Sequence, residues 1–271
     1  MLNALIDEKN DLWEKAMLLA IDIGNTNITF GVFENERLRA SWRLAPEVHH
    51  TADEYAVLLL NLLRHQGLDI SDIEEIALCN VVPPLLPTFN ELFQRYFHVS
   101  PLVVAPGIKT GVRIRMDNPR EVGADRIVDA AAAHHLYGGS VIIVDLGTAT
   151  TFDVVSKEGD YIGGAIAPGI VIAAEALFTQ TAALPRVELT PPKQTIGSNT
   201  ISAMQSGIVF GYAGLIEGII IRIHKELGEK ALVVATGGYA ELMAKETTVI
   251  DKVNPDLTLI GLRLIFEMNK T

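Results

Sequence analysis

One pattern occurs twice in this chain, and it constrains the fold more than any other feature. Leu19-Ala20-Ile21-Asp22-Ile23-Gly24-Asn25-Thr26 aligns with Ile142-Ile143-Val144-Asp145-Leu146-Gly147-Thr148-Ala149. Each copy has an apolar run of strand character, an aspartate, one apolar residue, a glycine and then small hydroxyl or amide residues. Each is followed by a second apolar run, a charged turn and a third run. The two aspartates stand nearly half the chain apart. The repeat predicts two similar α/β lobes, with their D-x-G turns facing each other across a cleft. At 271 residues the chain is long enough for two cores of ~130 residues each.

The rest of the pattern agrees with an α/β class built on mixed sheets. Strands are predicted at Leu18–Ile23, Ile28–Phe33 and Leu38–Leu44, and again at Val141–Val144, Thr151–Val155 and Tyr161–Ile166. Thr51-Ala52-Asp53-Glu54 reads as a capping box opening a helix with Tyr55, Leu58, Leu59, Leu62 and Leu63 on one face. Thr88-Phe89-Asn90-Glu91 reads as a second one. Further strands are expected at Ile76–Val82, Leu102–Ala105 and Leu232–Ala235. Helices are expected at 123–137, 199–227, 238–244 and 257–269. The segment Lys109–Arg120 has no periodicity and is left irregular. The division expected is an N-terminal extension over 1–16, one lobe over 17–120 and a second over 121–271.

Composition excludes several classes of function. There are 22 Lys+Arg against 33 Asp+Glu, a formal charge of −11, which disfavours a general nucleic-acid binder. The single cysteine, Cys79, excludes an internal disulfide and any zinc site built on paired cysteines. The longest charge-free stretch, Gln194–Ile216, carries Gln, Asn, Ser and Thr, and reads as a packed helix rather than a membrane span. A cytoplasmic protein without membrane partners is expected. Against the acidic background, Lys109, Arg113, Arg115, Arg120 and Arg126 lie in one short stretch that holds only Asp117, Glu121 and Asp125 as acids. This basic strip has a use if the ligands are anionic.

Four segments carry residues fit for chemistry. In Asp22-Ile23-Gly24-Asn25-Thr26-Asn27, the glycine lets a ligand approach the backbone, and exposed N–H groups of a tight turn hold phosphate oxygens. A carboxylate at a strand end holds Mg²⁺ directly or through water. Asp145-Leu146-Gly147-Thr148 has the same composition. Either turn taken alone is equally a ligand-free Asx-type turn. Thr236-Gly237-Gly238 follows a strand and leaves room for a ring or ribose against the backbone. Asp125, in Gly123-Ala124-Asp125-Arg126, falls in the first turn of a helix, where an acid is favoured by the helix dipole. The dipole does not account for the adjacent Arg126 or for the glycine at 123. Asp129, one turn on, reads as a solvated or capping carboxylate. Cys79 reads as core, and His134 and His135 as surface residues. No Walker A and no G-x-G-x-x-G sequence is present.

Taken together, these turns resemble those of the acetate and sugar kinase/Hsp70/actin superfamily, whose members pair two ribonuclease-H-like lobes. Within it, D-I-G-N-T-N, G-A-D-R and D-L-G-T-A-T closely resemble type III pantothenate kinases, in order and at family-like spacing from Met17 to about Asn269. The resemblance implies ATP-dependent phosphorylation of pantothenate, the first step toward coenzyme A, by a homodimer that needs Mg²⁺ and K⁺ or NH₄⁺. Carried over by position, Asp22, Ile23, Gly24, Asn25, Thr26, Asn27, Ile28 and Thr29 would line the ATP phosphates, with Asp22 nearest Mg²⁺. Thr148, Gly237 and Gly238 would also contact ATP. Asp145 would hold the monovalent cation. Gly123, Ala124, Asp125, Arg126 and Thr200 would contact pantothenate, and Asp125 would accept its proton. Met116 stands where the family often has a tyrosine that contacts substrate. The resemblance leaves two alternatives: a regulatory relative without enzymatic activity, or a kinase for another small hydroxyl compound.

Overall fold

The computed structural model describes residues 17–270. The predicted extension, residues 1–16, lies outside the described residues. An antiparallel meander comes first, made of β1 (Met17–Ile23), β2 (Ile28–Glu34) and β3 (Arg37–Leu44). Then come α1 (Ala52–His65), β4 (Ile73–Asn80), α2 (Leu85–Leu92), β5 (Leu102–Val103), β6 (Arg113–Ile114) and α3 (Ala124–Tyr137). A second meander follows, β7 (Val141–Leu146), β8 (Ala149–Val155) and β9 (Asp160–Pro168). The chain closes with α4 (Ile170–Thr179), α5 (Thr200–Leu227), β10 (Leu232–Thr236), α6 (Ala240–Glu246), β11 (Lys252–Val253) and α7 (Leu257–Asn269).

The first sheet has the order β3-β2-β1-β4-β5 and the second β11-β10-β7-β8-β9-β6. Counted from its own meander, the second is β9-β8-β7-β10-β11 with β6 added at the edge. Strand directions correspond one for one, with β4 and β5 parallel to β1 and β10 and β11 parallel to β7. The repeat read from two D-x-G turns is thus a repeat of two complete ribonuclease-H-like sheets. Its registers agree: Asp22 stands opposite Thr29 and Cys79, and Asp145 opposite Thr151 and Thr236.

Residue contacts divide the chain into two compact units. The first holds the described residues up to Thr110, Gly123–Val128 and the chain from Thr258 onward. The second holds Gly111–Val122 and Asp129–Leu257.

In the first unit, Leu19, Ile21, Phe30 and Val32 pack against Tyr55, Leu59 and Leu63 of α1 and Phe89 of α2. The capping box at α1 is formed: Glu54 N–H donates to Thr51 Oγ1 at 3.3 Å, and Thr51 N–H donates to Glu54 Oε2 at 2.7 Å. Leu58 departs from the predicted stripe and is exposed. Helix α2 begins at Leu85 with Pro84 as its N-cap, so Thr88 lies inside the helix and caps nothing. The fixed φ of Pro84 suits a helix entry, and Asn80 Oδ1 accepts the Val82 N–H at 3.0 Å just before it. Cys79 is core, as expected.

Helix α7 covers the other side of this sheet. Leu259 lies against Gly31, the Arg263 guanidinium sits 5.9 Å from the Phe33 ring centre, and Lys270 pairs with Glu75. At Gly261 the helix meets α3 so closely that a Cβ would stand 2.2 Å from the Val128 carbonyl oxygen. Gly261→Ala should therefore destabilise the protein by roughly 1–3 kcal/mol, the cost of overpacking. Thermal unfolding measures this, and an unchanged midpoint would contradict so close a crossing.

In the second unit, Ile142, Val144, Leu146 and Phe152 pack under Met204, Ile208, Val209, Ile216 and Ile220 of α5. Asn199 caps α5 through Ser202 N–H at 2.9 Å, and Gly228 ends it in the left-handed region at φ 71°. By length and composition alone α5 could cross a membrane. One of its faces is instead buried on the sheet, which accounts for its apolar content. Asp129 is buried at 3% exposure, so the expectation of a solvated or capping carboxylate does not hold. Helix α3 turns this position inward with Val128 and Ala130–Ala133. His134 is half-buried against the Gly159 turn rather than on the surface.

Candidate active site

The predicted site residues fall into two groups, one in each unit. In the first unit, β1 delivers Asp22 to the sheet end, and Gly24 N–H closes the turn on Asn27 O at 3.0 Å. Asn25, Thr26 and Asn27 are exposed, and Asp22 and Thr29 are half-buried. Ile23 and Ile28 are fully buried in the core. They can offer a ligand only their main-chain groups.

Gly123 opens α3 in the same unit, its carbonyl accepting the Ile127 N–H at 3.2 Å. Ala124, Asp125 and Arg126 form the first turn and are half-buried. The Asp125 carboxylate folds back over Gly123, where a Cβ would stand 2.4 Å from its Oδ1, and that oxygen accepts the Arg126 N–H at 2.8 Å. This explains the glycine that the helix dipole left unexplained. Any side chain at 123 displaces the carboxylate. Since only the end of a side chain has to move, Gly123→Ala should keep the fold and its thermal midpoint while lowering kcat about tenfold or more, a loss of roughly 1.4 kcal/mol at the transition state. Steady-state kinetics beside thermal unfolding separate the two effects, and an unchanged kcat would contradict the arrangement.

In the second unit, Asp145 at the end of β7 is half-buried. Its carboxylate runs along Gly147, where a Cβ would lie 3.4 Å from both oxygens. The Thr236-Gly237-Gly238 turn lies on the same carboxylate. Gly237 has φ 88°, and a Cβ there would stand 2.4 Å from Asp145 Oδ1 and 2.7 Å from the Leu146 carbonyl carbon. The structure thus joins the D-L-G-T turn and the Gly-Gly turn into one cradle around Asp145. Thr148 and Gly238 are exposed beside it, and Thr148 O accepts the Gly169 N–H at 3.1 Å.

Thr200 is the first residue of α5, and is exposed at the mouth of a groove of about 870 Å³ walled by α4 and α5. Tyr212 lines this groove and donates its hydroxyl to Pro168 O at 2.7 Å, and burial pushes its phenol above the usual range. Met116 lies just past β6, its Sδ 3.1 Å from where a Cβ on Gly163 would be.

The basic strip is less free than the sequence implied. Arg113 Nε and Arg115 Nε lie 2.6 and 2.5 Å from the two oxygens of one carboxylate, Asp160. A second buried acid, Asp153, accepts hydrogen bonds from Tyr161 Oη at 2.6 Å and Thr151 Oγ1 at 2.8 Å. Neither acid was singled out from sequence. The signal for Asp160 was present: two arginines two apart in an extended segment project to one side.

Comparison with known proteins shows the family. Residues 18–222 match the family model of type III pantothenate kinases. A Dehalococcoides mccartyi protein described as type III pantothenate kinase is 58% identical over 253 residues, covering 93% of this chain and 96% of its own. Among solved structures, a Baf family protein from Campylobacter jejuni superposes with TM-score 0.53 at 20% identity, covering 93% of this chain and 97% of that one. An inorganic polyphosphate/ATP-glucomannokinase from Arthrobacter superposes with TM-score 0.50 at 14% identity, covering 94% and 100%. Those two likenesses are of fold. With a family match across most of its length and more than half of its residues shared with a full-length relative, the chain belongs to the type III pantothenate kinase family.

Proposed function

We propose that this protein transfers the γ-phosphoryl group of ATP to the primary hydroxyl of pantothenate, the first step toward coenzyme A. The observation that carries the reading, beside family membership, is the Asp125 carboxylate held at the start of α3 over Gly123. Asp125 accepts the hydroxyl proton as the oxygen attacks phosphorus. Arg126 offsets the charge that develops. Main-chain N–H groups of the exposed residues Asn25, Thr26 and Asn27 hold phosphate oxygens, and Thr148, Gly237 and Gly238 hold the rest of the nucleotide. Phosphoryl transfer depends mainly on such positioning and charge stabilisation.

The donors present fit the ions that the family resemblance implies. Asp22 is a single carboxylate at a turn of exposed main chain, suited to Mg²⁺ that keeps most of its waters. Asp145 sits in a cradle with no room for a side chain at Gly237, a hard oxygen site suited to K⁺ or NH₄⁺. Bound there, the cations would neutralise phosphate charge.

We place the enzyme in the cytoplasm as a homodimer. Gly207, Gly211 and Gly214 are exposed on one face of α5 with nothing near them, and Ile172 and Ile201 are exposed on α4 and α5. A second copy would cover this face, and sedimentation equilibrium should give twice the chain mass. A single-chain mass would contradict it.

Coupled ADP release tests the function. Pantothenate-dependent ADP release is expected, with none from sugars. Release with a sugar alone would assign the other substrate class, and no release with any acceptor would favour a regulatory relative.

A further inference from the structure

We infer that Asp160 is a positioning residue for substrate: its carboxylate clamps Arg113 and Arg115, and so holds Met116 over Gly163. The inference rests on the proposed pantothenate reading for the identity of the substrate, but not for the clamp.

Strand β6 is short. It pairs with β9 over two residues, Arg113 with Asp160 and Ile114 with Tyr161. Its main chain is held by Arg113 N–H on Gly159 O at 3.3 Å and Arg115 N–H on Tyr161 O at 2.8 Å. Two such bonds at a sheet edge hold a segment loosely. The side chains supply the rest. Asp160 is 7% exposed, and both its oxygens are taken, one by each arginine. Asp160 is itself fixed, since its carbonyl accepts the Ser156 N–H at 2.8 Å and its own N–H donates to Ser156 Oγ at 3.3 Å.

Charge-assisted bonds of this kind are stronger than neutral ones, and removing the acid reverses the effect. Two exposed guanidinium groups would then repel each other with no carboxylate between them. Arg115 is bonded directly to Met116. When the clamp opens, Met116 leaves Gly163, and the substrate contact assigned to position 116 goes with it. Asp125 is not a partner of this clamp; its carboxylate accepts the Arg126 N–H. The expected signature is therefore a binding defect rather than a chemical one.

The test compares the parent with Asp160→Asn, Asp160→Glu and the double variant Arg113→Gln/Arg115→Gln. The two arginine side chains are exposed, so the double variant should fold even if Asp160→Asn does not. For the double variant and Asp160→Asn, KM for pantothenate should rise about tenfold as the contact at Met116 is lost. KM for ATP and kcat should stay within about twofold. Asp160→Glu, which keeps the charge, should recover most of the pantothenate KM. Amide hydrogen exchange at Arg113–Met116 should quicken in the first two variants. Unchanged exchange there would overturn the clamp, whatever the substrate. Quickened exchange with an unchanged pantothenate KM would overturn its role in binding. A parent that phosphorylates another acceptor but not pantothenate would overturn the substrate reading and leave the exchange result standing.

Discussion

Asp125→Asn should lower kcat by about 10²–10⁴-fold, the usual contribution of a general base, with ATP binding and the fold unchanged. The amide has the shape of the carboxylate but cannot take a proton. Its oxygen can still accept the Arg126 N–H that Asp125 Oδ1 accepts at 2.8 Å, so the side chain should keep its place over Gly123. Loss of the negative charge from the first turn of α3 costs about 0.3–1 kcal/mol through the helix dipole, too little to unfold the protein. Turnover under saturating substrates, beside nucleotide binding and thermal unfolding, isolates the chemical effect. A variant with near-parental kcat would remove Asp125 from the proton transfer.

The second large effect is expected at Gly237. Its φ of 88° lies where an L-residue is strained by about 1–2 kcal/mol. The Cβ of Gly237→Ala would also stand 2.4 Å from Asp145 Oδ1 and 2.7 Å from Leu146 main chain. The carboxylate can rotate away, but the main chain cannot. The variant should lose about tenfold or more in activity and need a higher K⁺ concentration for half-maximal rate, because the displaced carboxylate is the proposed cation ligand. A K⁺ titration in Na⁺-balanced buffer, with thermal unfolding measured with and without K⁺, reads both consequences. A K⁺ dependence equal to the parent's would detach Asp145 from the cation.

Much of this was legible in the residues, and what was not has physical causes. The repeat around Asp22 and Asp145 predicted two related sheets because a buried strand ending in a tight turn leaves a dense signature. Helix α4 left none. Ile170–Thr179 is apolar nearly all round, with Ile172 and Phe178 exposed and Ile170 buried, so no period separates an inner from an outer face. Strands β6 and β11 are two residues each, too short for alternation to register. Thr88-Phe89-Asn90-Glu91 has the letters of a capping box, but Pro84 starts the helix earlier. At the site, residue types named Asp125 and Gly123 separately, and only the fold shows the carboxylate lying on the glycine. Likewise Asp160 was one acid among many until β6 brought two arginines to it.

The first sheet contains the earliest described strands, yet the helix that shields Gly31 and Phe33 is α7, the last described element. During synthesis, the whole of Asp129–Leu257 emerges before that cover arrives. Until then a nascent chain presents one face of an apolar sheet to its surroundings, an opportunity for chaperones and for aggregation alike. A chain stalled before Leu257 would have its second sheet complete and its first still open. Of the two sheets, the one translated first is therefore the last to become native.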